Sequence, residues 1–321
     1  VAGGASIVVK KEIYNLEFPS WCQELTIFGY HFTRVNNYRD KLASLQHWIT
    51  SHVEFEILAN TGSHAVTAYV DLPEREKKSV FKQRGSANTA LSDILLLLSI
   101  LTRRDVFTVD NASDGGKNKV ITADPRIYDW GGVLITSIPY KEHPIPDNEP
   151  HGYNIGFEKG INQVYSLVRS EDWQRKYKGG HFLILAQQAF RNQPLETAFT
   201  QCWTIWEHLF TVHNDRWLSD EAIRRLNSTE KIAFLLVEYA LKGNINKNEK
   251  NRIESLVKTR NRLVHFGHVP EGSSADDATL FIRLTEFIIA KIFGLEPSNV
   301  FNTMEGLETF LKSKSEGKKL L

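Results

Sequence analysis

Apolar positions recur along this chain with two different periods, and the change from one to the other divides it. From about residue 5 to 150 they come in short β-branched and aromatic runs: SIVVKKEIYNLEF, ELTIFGYHFTRV, HVEFEILAN and HAVTAYVDL. Runs of this kind, separated by turn residues such as Asn60, Thr61 and Gly62, predict strands, with the last two forming a hairpin. One helix interrupts them over about 86–102. There Leu91, Ile94, Leu95, Leu98 and Leu101 recur at helical spacing and predict packing on the sheet. A further strand group, KVITADPRIYDW and GGVLITSIPY, precedes EHPIPDNEPHGYN, whose prolines and Gly152 read as a linker.

From 156 to 297 the period is helical. Helices are predicted over 157–168, 173–192 with a break at Gly179 and Gly180, 195–212, 229–241, 247–266 and 276–293. Ser228 reads as an N-cap with Lys231 where a capping box would carry Glu, Asn246 as the cap of the next helix, and Gly243 as the end of the one before. Short connections favour antiparallel neighbours and therefore a bundle. Residues 298–321 hold one amphipathic piece, 302–311, and a basic tail, KSKSEGKKLL, expected to fray. The fold class is α+β: an N-terminal mixed α/β domain, 1–150, followed by an all-α bundle, 156–297.

Composition narrows the function classes. With 321 residues the chain can bury two cores, and 41% hydrophobic with 24% charged residues is ordinary for a globular protein. A net charge of +1 gives no global attraction to nucleic acid, so any such binding depends on a local patch. Cys22 and Cys202 stand far apart and form neither a disulfide framework nor a zinc site; they read as thiols in a reducing cytoplasm. The run ILLLLSIL is too short to span a membrane and meets Arg103, Arg104 and Asp105 at once. The opening VAGGASIVVKK lacks the order of a secretory leader. The first segment shows no phosphate loop, dinucleotide-binding glycines or metal-spaced cluster, so its role is not legible.

The candidate chemistry lies in VKTRNRLVHFGHVP, residues 257–270. Asn261 and His265 are four apart and share a helix face, while Arg260 lies about 100° round from Asn261 with a long stem that can reach the same rim. Arg supplies a permanent planar fork for phosphate, His a group that takes and gives a proton near neutrality, and Asn an amide that can orient an oxygen. Phosphoester chemistry needs such a set.

This arrangement, Arg, a polar residue, three more and then His at a helix end, resembles the R-x4-6-H signature of the HEPN superfamily (higher eukaryotes and prokaryotes nucleotide-binding), and its surroundings resemble the ApeA-like branch. There a tryptophan-rich helix with an acidic residue precedes the motif, as FTQCWTIWEHLF with Glu207 does here, and a second helix, STEKIAFLLVEYAL, leads into it. The resemblance covers the C-terminal half only. It implies a HEPN-like bundle and a metal-independent endoribonuclease acting as a homodimer on RNA, with no cofactor. In that reading Arg260, Asn261 and His265 are catalytic, and Glu207 and Arg262 accessory, Glu207 orienting Arg260 or His265. It also implies a place in phage defence or a toxin-type response, with the first half as trigger.

Plainer readings stand beside each residue. Arg260 also fits a surface cation paired with Glu254 or Glu286, His265 a helix C-terminus favoured by the macrodipole, and Glu207 an ordinary ion pair. His265 and His268 form an H-x-x-H pair, but Gly267 and Pro270 break the helix and no further ligand completes a metal set. Phe199, Trp203, Trp206 and Phe210 recur as a core or dimer face more readily than as a base-stacking platform, and His208 and His213 receive no role. The alternative to a nuclease is a non-catalytic dimerisation or nucleotide- or RNA-binding module with Arg260 and Arg262 on its rim; a metal-dependent hydrolase is a third.

Overall fold

The computed structural model describes residues 9–14, 16, 23–36, 66–73, 76–81, 89–102, 106, 108, 157–190, 195–267, 273–295 and 300–319. The strands expected over HVEFEILAN and between 119 and 140, and the linker before 156, lie outside them. Among the described residues four short strands, β1 (Lys10–Tyr14), β2 (Glu24–Ile27), β3 (Tyr30–Arg34) and β4 (Val66–Asp71), form an antiparallel sheet in the order β1-β4-β3-β2. Period-two alternation sends Leu25, Ile27, Tyr30, Phe32, Ala68 and Val70 inward.

The stretch expected as one strand, ELTIFGYHFTRV, is two strands joined by a two-residue turn. Phe28 and Gly29 both take positive φ, 51° and 86°, which lets so tight a turn match the strand twist. A phenylalanine in that region is strained. Its ring is held where it is: Lys77 Nζ lies 3.9 Å and the Arg169 guanidinium 4.1 Å from its centroid, and Tyr165 meets it edge-on at 5.2 Å.

β2 is the last strand in the sheet order, and α2 (Phe157–Val168) covers it. Thr26 N donates to Glu158 at 3.0 Å and Phe28 N to Asn162 Oδ1 at 3.1 Å, while Asn162 Nδ2 donates to Thr26 O at 2.8 Å. Two side chains one helical turn apart thus do what a fifth strand would do, and they close the edge. The helix α1 (Ala90–Thr102) is apolar on all sides and correspondingly buried; its main helical neighbours are α4 (Gly179–Phe190) and α2. Its one acid, Asp93, is fully buried and accepts from Ser79 Oγ and from Val80 N at 2.7 Å, tying segment 79–81 to the helix. Burial pushes that carboxyl above its ordinary pKa.

From 171 onward the described residues are mainly helical: α3 (Glu171–Tyr177), α4, α5 (Leu195–Asn214), α6 (Asp220–Arg225), α7 (Ser228–Tyr239), α8 (Lys247–Phe266), α9 (Ser273–Ile292) and α10 (Met304–Lys319). α5 is the axis of the bundle and packs against α4, α7 and α9; α8 lies on α7 and α9. One continuous hydrophobic cluster runs from the sheet through α1 into the bundle. Among the described residues no helix is long and apolar enough to cross a membrane.

Three local expectations change. The break near Gly179 and Gly180 is made by Lys178, which takes the left-handed conformation (φ 48°, ψ 52°); the glycines serve close approach, since a Cβ on Gly179 would strike Trp173 and Gln174, and one on Gly180 the Phe81 carbonyl. The cap of α7 is Asn227 rather than Ser228, which puts Glu230 at the third helical position and completes the capping box; that helix ends at Tyr239, before Gly243. The tail expected to fray continues α10 to Lys319.

Candidate active site

The candidate residues sit on the last two turns of α8, and the rest of that helix is fixed with unusual care. Its start carries a full capping box: Glu249 N donates to Asn246 Oδ1 at 3.0 Å and Asn246 N to Glu249 Oε2 at 2.8 Å. One turn on, Arg252 donates from Nε to Glu308 of α10 at 2.6 Å and from Nη1 to Asp277 of α9. Asp277 also accepts from Ser255 Oγ at 2.7 Å and from Thr259 Oγ1 at 3.3 Å. Burial alone would ease the proton off Arg252, but the hydrogen bonds to Glu308 and Asp277 outweigh it and hold its pKa above the ordinary value. The buried positions Ile253, Leu256, Thr259 and Leu263 keep one face inward. Gly267 ends the helix with φ 74° and donates its N–H to Leu263 O at 2.8 Å.

At this end Arg260 is half-buried, while Asn261, Arg262 and His265 are exposed. Arg260 leans over the Trp203 ring, 5.8 Å from its centroid, and donates from Nη1 to Asn261 Oδ1 at 3.1 Å. The structure therefore joins Arg260 to Asn261. His265 projects from the same face as Asn261 into solvent, but five residues carry it about 140° round the helix from Arg260. Asn261 and Arg262 flank it more closely than Arg260 does. Val264 and Phe266, 60% and 70% exposed, stand beside it.

Glu207, expected to orient Arg260 or His265, accepts from Lys231 Nζ of α7 at 2.6 Å, the ion pair of the plainer reading. The aromatic run of α5 is core. Trp203 stacks on Phe281 of α9 at 4.9 Å, Phe199 meets that ring edge-on at 5.3 Å, and Trp206 lies 5.0 Å from it and donates from Nε1 to Thr285 Oγ1 at 2.9 Å. Of these rings, Trp203 is the one over which Arg260 lies. Among the described residues no three His, Cys, Asp or Glu side chains are grouped as metal ligands; His268 lies outside them. Cys202 is a buried free thiol, and Cys22 falls outside the described residues.

The two histidines that the sequence left without a role lie on α5, His208 against α3 and α4 and His213 against α3 and α7. His208 Nε2 is 2.9 Å from Tyr177 O, and its ring stacks on Phe182 and meets His181 edge-on. His213 Nε2 is hydrogen-bonded with the Tyr239 hydroxyl. Burial lowers the pKa of both. Compared with protein-family models, with curated proteins and with solved structures, the chain matches none.

Proposed function

We propose that this chain is a metal-independent endoribonuclease that acts as a homodimer in the cytoplasm, with the α8 terminus as its active site and a HEPN-like bundle as its frame. The observation that carries this reading is a joined Arg260–Asn261 pair and a solvent-facing His265 at the end of a helix that is capped at its start and tied by Arg252 to two neighbours, α9 and α10. A preorganised guanidinium and an accessible imidazole are what cleavage of a ribose phosphodiester requires.

The 2′-hydroxyl attacks the adjacent phosphorus as His265 removes its proton, the P–O5′ bond breaks, and the products are a 2′,3′-cyclic phosphate and a 5′-hydroxyl. Arg260 balances the charge that grows on the non-bridging oxygens, and Asn261 holds the guanidinium and a phosphate oxygen. The angular separation of Arg260 and His265 is the reason for a second subunit: paired copies bring the imidazole of one towards the guanidinium of the other and provide an acid as well as a base. The exposed Val264 and Phe266 offer apolar surface for that pairing. A need for the 2′-hydroxyl makes RNA the substrate and excludes DNA.

The test is incubation of purified protein with RNA in EDTA, with end-group analysis. Cyclic phosphate ends, lost in Arg260→Ala and His265→Ala while the circular dichroism spectrum and dimer mass are kept, support the assignment. RNA that binds and is released intact points to the non-catalytic module, and cutting that EDTA stops points to a metal enzyme; either result defeats the proposal.

A further inference from the structure

At the C-terminal end of α5 the chain forms a cleft of about 560 Å³ between α3 and the turn after α5. From Trp203 to His213 the axis of α5 runs about 15 Å, so the cleft is separate from the α8 terminus. Its size is that of small-ligand sites. Arg175, Lys176 and Lys178 reach it from α3 and its cap, and Arg216 from the turn, against two acids, Asp172 and Asp215. Those acids already have partners: Arg175 pairs with Asp172, and Lys178 Nζ with Asp215 Oδ2 at 3.1 Å. Lys176, whose Nζ also lies 5.0 Å from the Tyr177 centroid, and Arg216 are the remaining cations of the lining, two positive charges at one hollow. His213 closes the cleft, packed against Tyr177 and Phe234 and hydrogen-bonded with Tyr239, so it forms a neutral, stiff wall.

The same turn carries Trp217, 68% exposed, immediately after Arg216. The turn is rigid: Asp215 N donates to Thr211 O at 2.8 Å, and Trp217 N and Leu218 N both donate to Asn214 O, at 3.1 and 2.9 Å. This exposed indole follows directly on Arg216, the last of the residues that line the cleft, and is held there by the turn. The geometry points to a nucleoside-phosphate site, in which Lys176 and Arg216 hold the phosphate and Trp217 stacks the base. The ligand is either a free nucleotide or a link in a single strand. Its binding does not depend on the α8 terminus being catalytic. The plainer role for these cations, neutralising the carbonyl end of α5, calls for neither a cleft nor an exposed indole.

The experiment uses the full chain carrying Arg260→Ala and His265→Ala, so that neither cleavage nor the α8 terminus contributes. Fluorescein-labelled deca-uridylate is titrated in by anisotropy, and ADP by calorimetry. The site predicts salt-sensitive binding of at least one probe, reduced about tenfold or more by Lys176→Glu with Arg216→Glu and about fivefold by Trp217→Ala. ADP binding identifies a nucleotide site; deca-uridylate binding alone identifies a strand. Absence of binding by both probes overturns the proposal. Equal binding by the charge-reversed protein also overturns it, and so does a charge reversal that lowers the melting temperature without lowering affinity.

Discussion

Arg252 is the residue on which the placement of α8 turns, and its contribution can be worked from the structure. Its side chain is 30% exposed, against 9% for Asp277 and 17% for Glu308, so the triad is neither a surface pair nor a sealed one. Removing one partner of a fully buried pair costs about 3–5 kcal/mol, because the remaining charge is left in low dielectric. An exposed pair contributes about 0–1 kcal/mol. Arg252→Met keeps most of the aliphatic stem and removes only the charge and the forked donors, leaving two half-enclosed carboxylates that repel. With these burials the loss should be about 2–3 kcal/mol, midway between those limits. For a chain of this size that corresponds to a fall in melting temperature of about 4 °C. Calorimetry gives the shift, and a cycle with Glu308→Gln should return a coupling of about 1 kcal/mol. Arg252→Met melting together with the native protein, or a cycle that sums to zero, would refute the view that this triad fixes the helix.

Gly267→Ala tests the helix end alone: a Cβ there meets nothing within 4 Å, but φ of 74° strains any residue with a side chain. It should cost about 1 kcal/mol in urea unfolding and speed amide exchange over the last turn, where His265 sits; exchange unchanged in that turn would contradict it. For His208 the sign follows from burial, which depresses the pKa in the folded chain below the ordinary 6.5. The unfolded chain then holds the proton more tightly, so stability present above 6.5 is lost as pH falls towards the depressed value. His208→Gln, which can still donate to Tyr177 O, should flatten the slope of unfolding free energy between about pH 7 and 5, where a free imidazole titrates; an unaltered slope would locate the effect elsewhere.

What the sequence revealed followed the strength of its periodic signal. α2 and α8 run over the residues expected of them; an apolar stripe at 3.6 residues marks each helix, and for α8 Asn246 and Gly267 mark its ends. Single-residue punctuation was less legible. Ser228 and Asn227 are both good caps, and only the position of Glu230 decides between them. The turn within ELTIFGYHFTRV was hidden because Phe28 is a poor turn residue by composition, and what stabilises it there, Lys77 and Arg169, lies far along the chain. The site shows the same division. Arg260, Asn261 and His265 are singled out by spacing, and the structure sets them on one helix end with Asn261 and His265 exposed and Arg260 half-buried. The partner of Glu207 is a tertiary fact that its own helix does not encode. The cleft at Arg216 is assembled from two short segments without periodicity, so no pattern announced it; an exposed Trp217 beside a charged turn was the one trace.

Gly180 lacks a side chain because the Phe81 carbonyl occupies the space a Cβ would need. Main chain rests on main chain there, and the segment that carries Phe81 is itself held to α1 by Asp93. The helical part is consequently no detachable cassette. Grafting it onto another protein without residues 76–102 would strip the roof from α4 and bare the leucines beneath, so any such chimera must carry that piece with it.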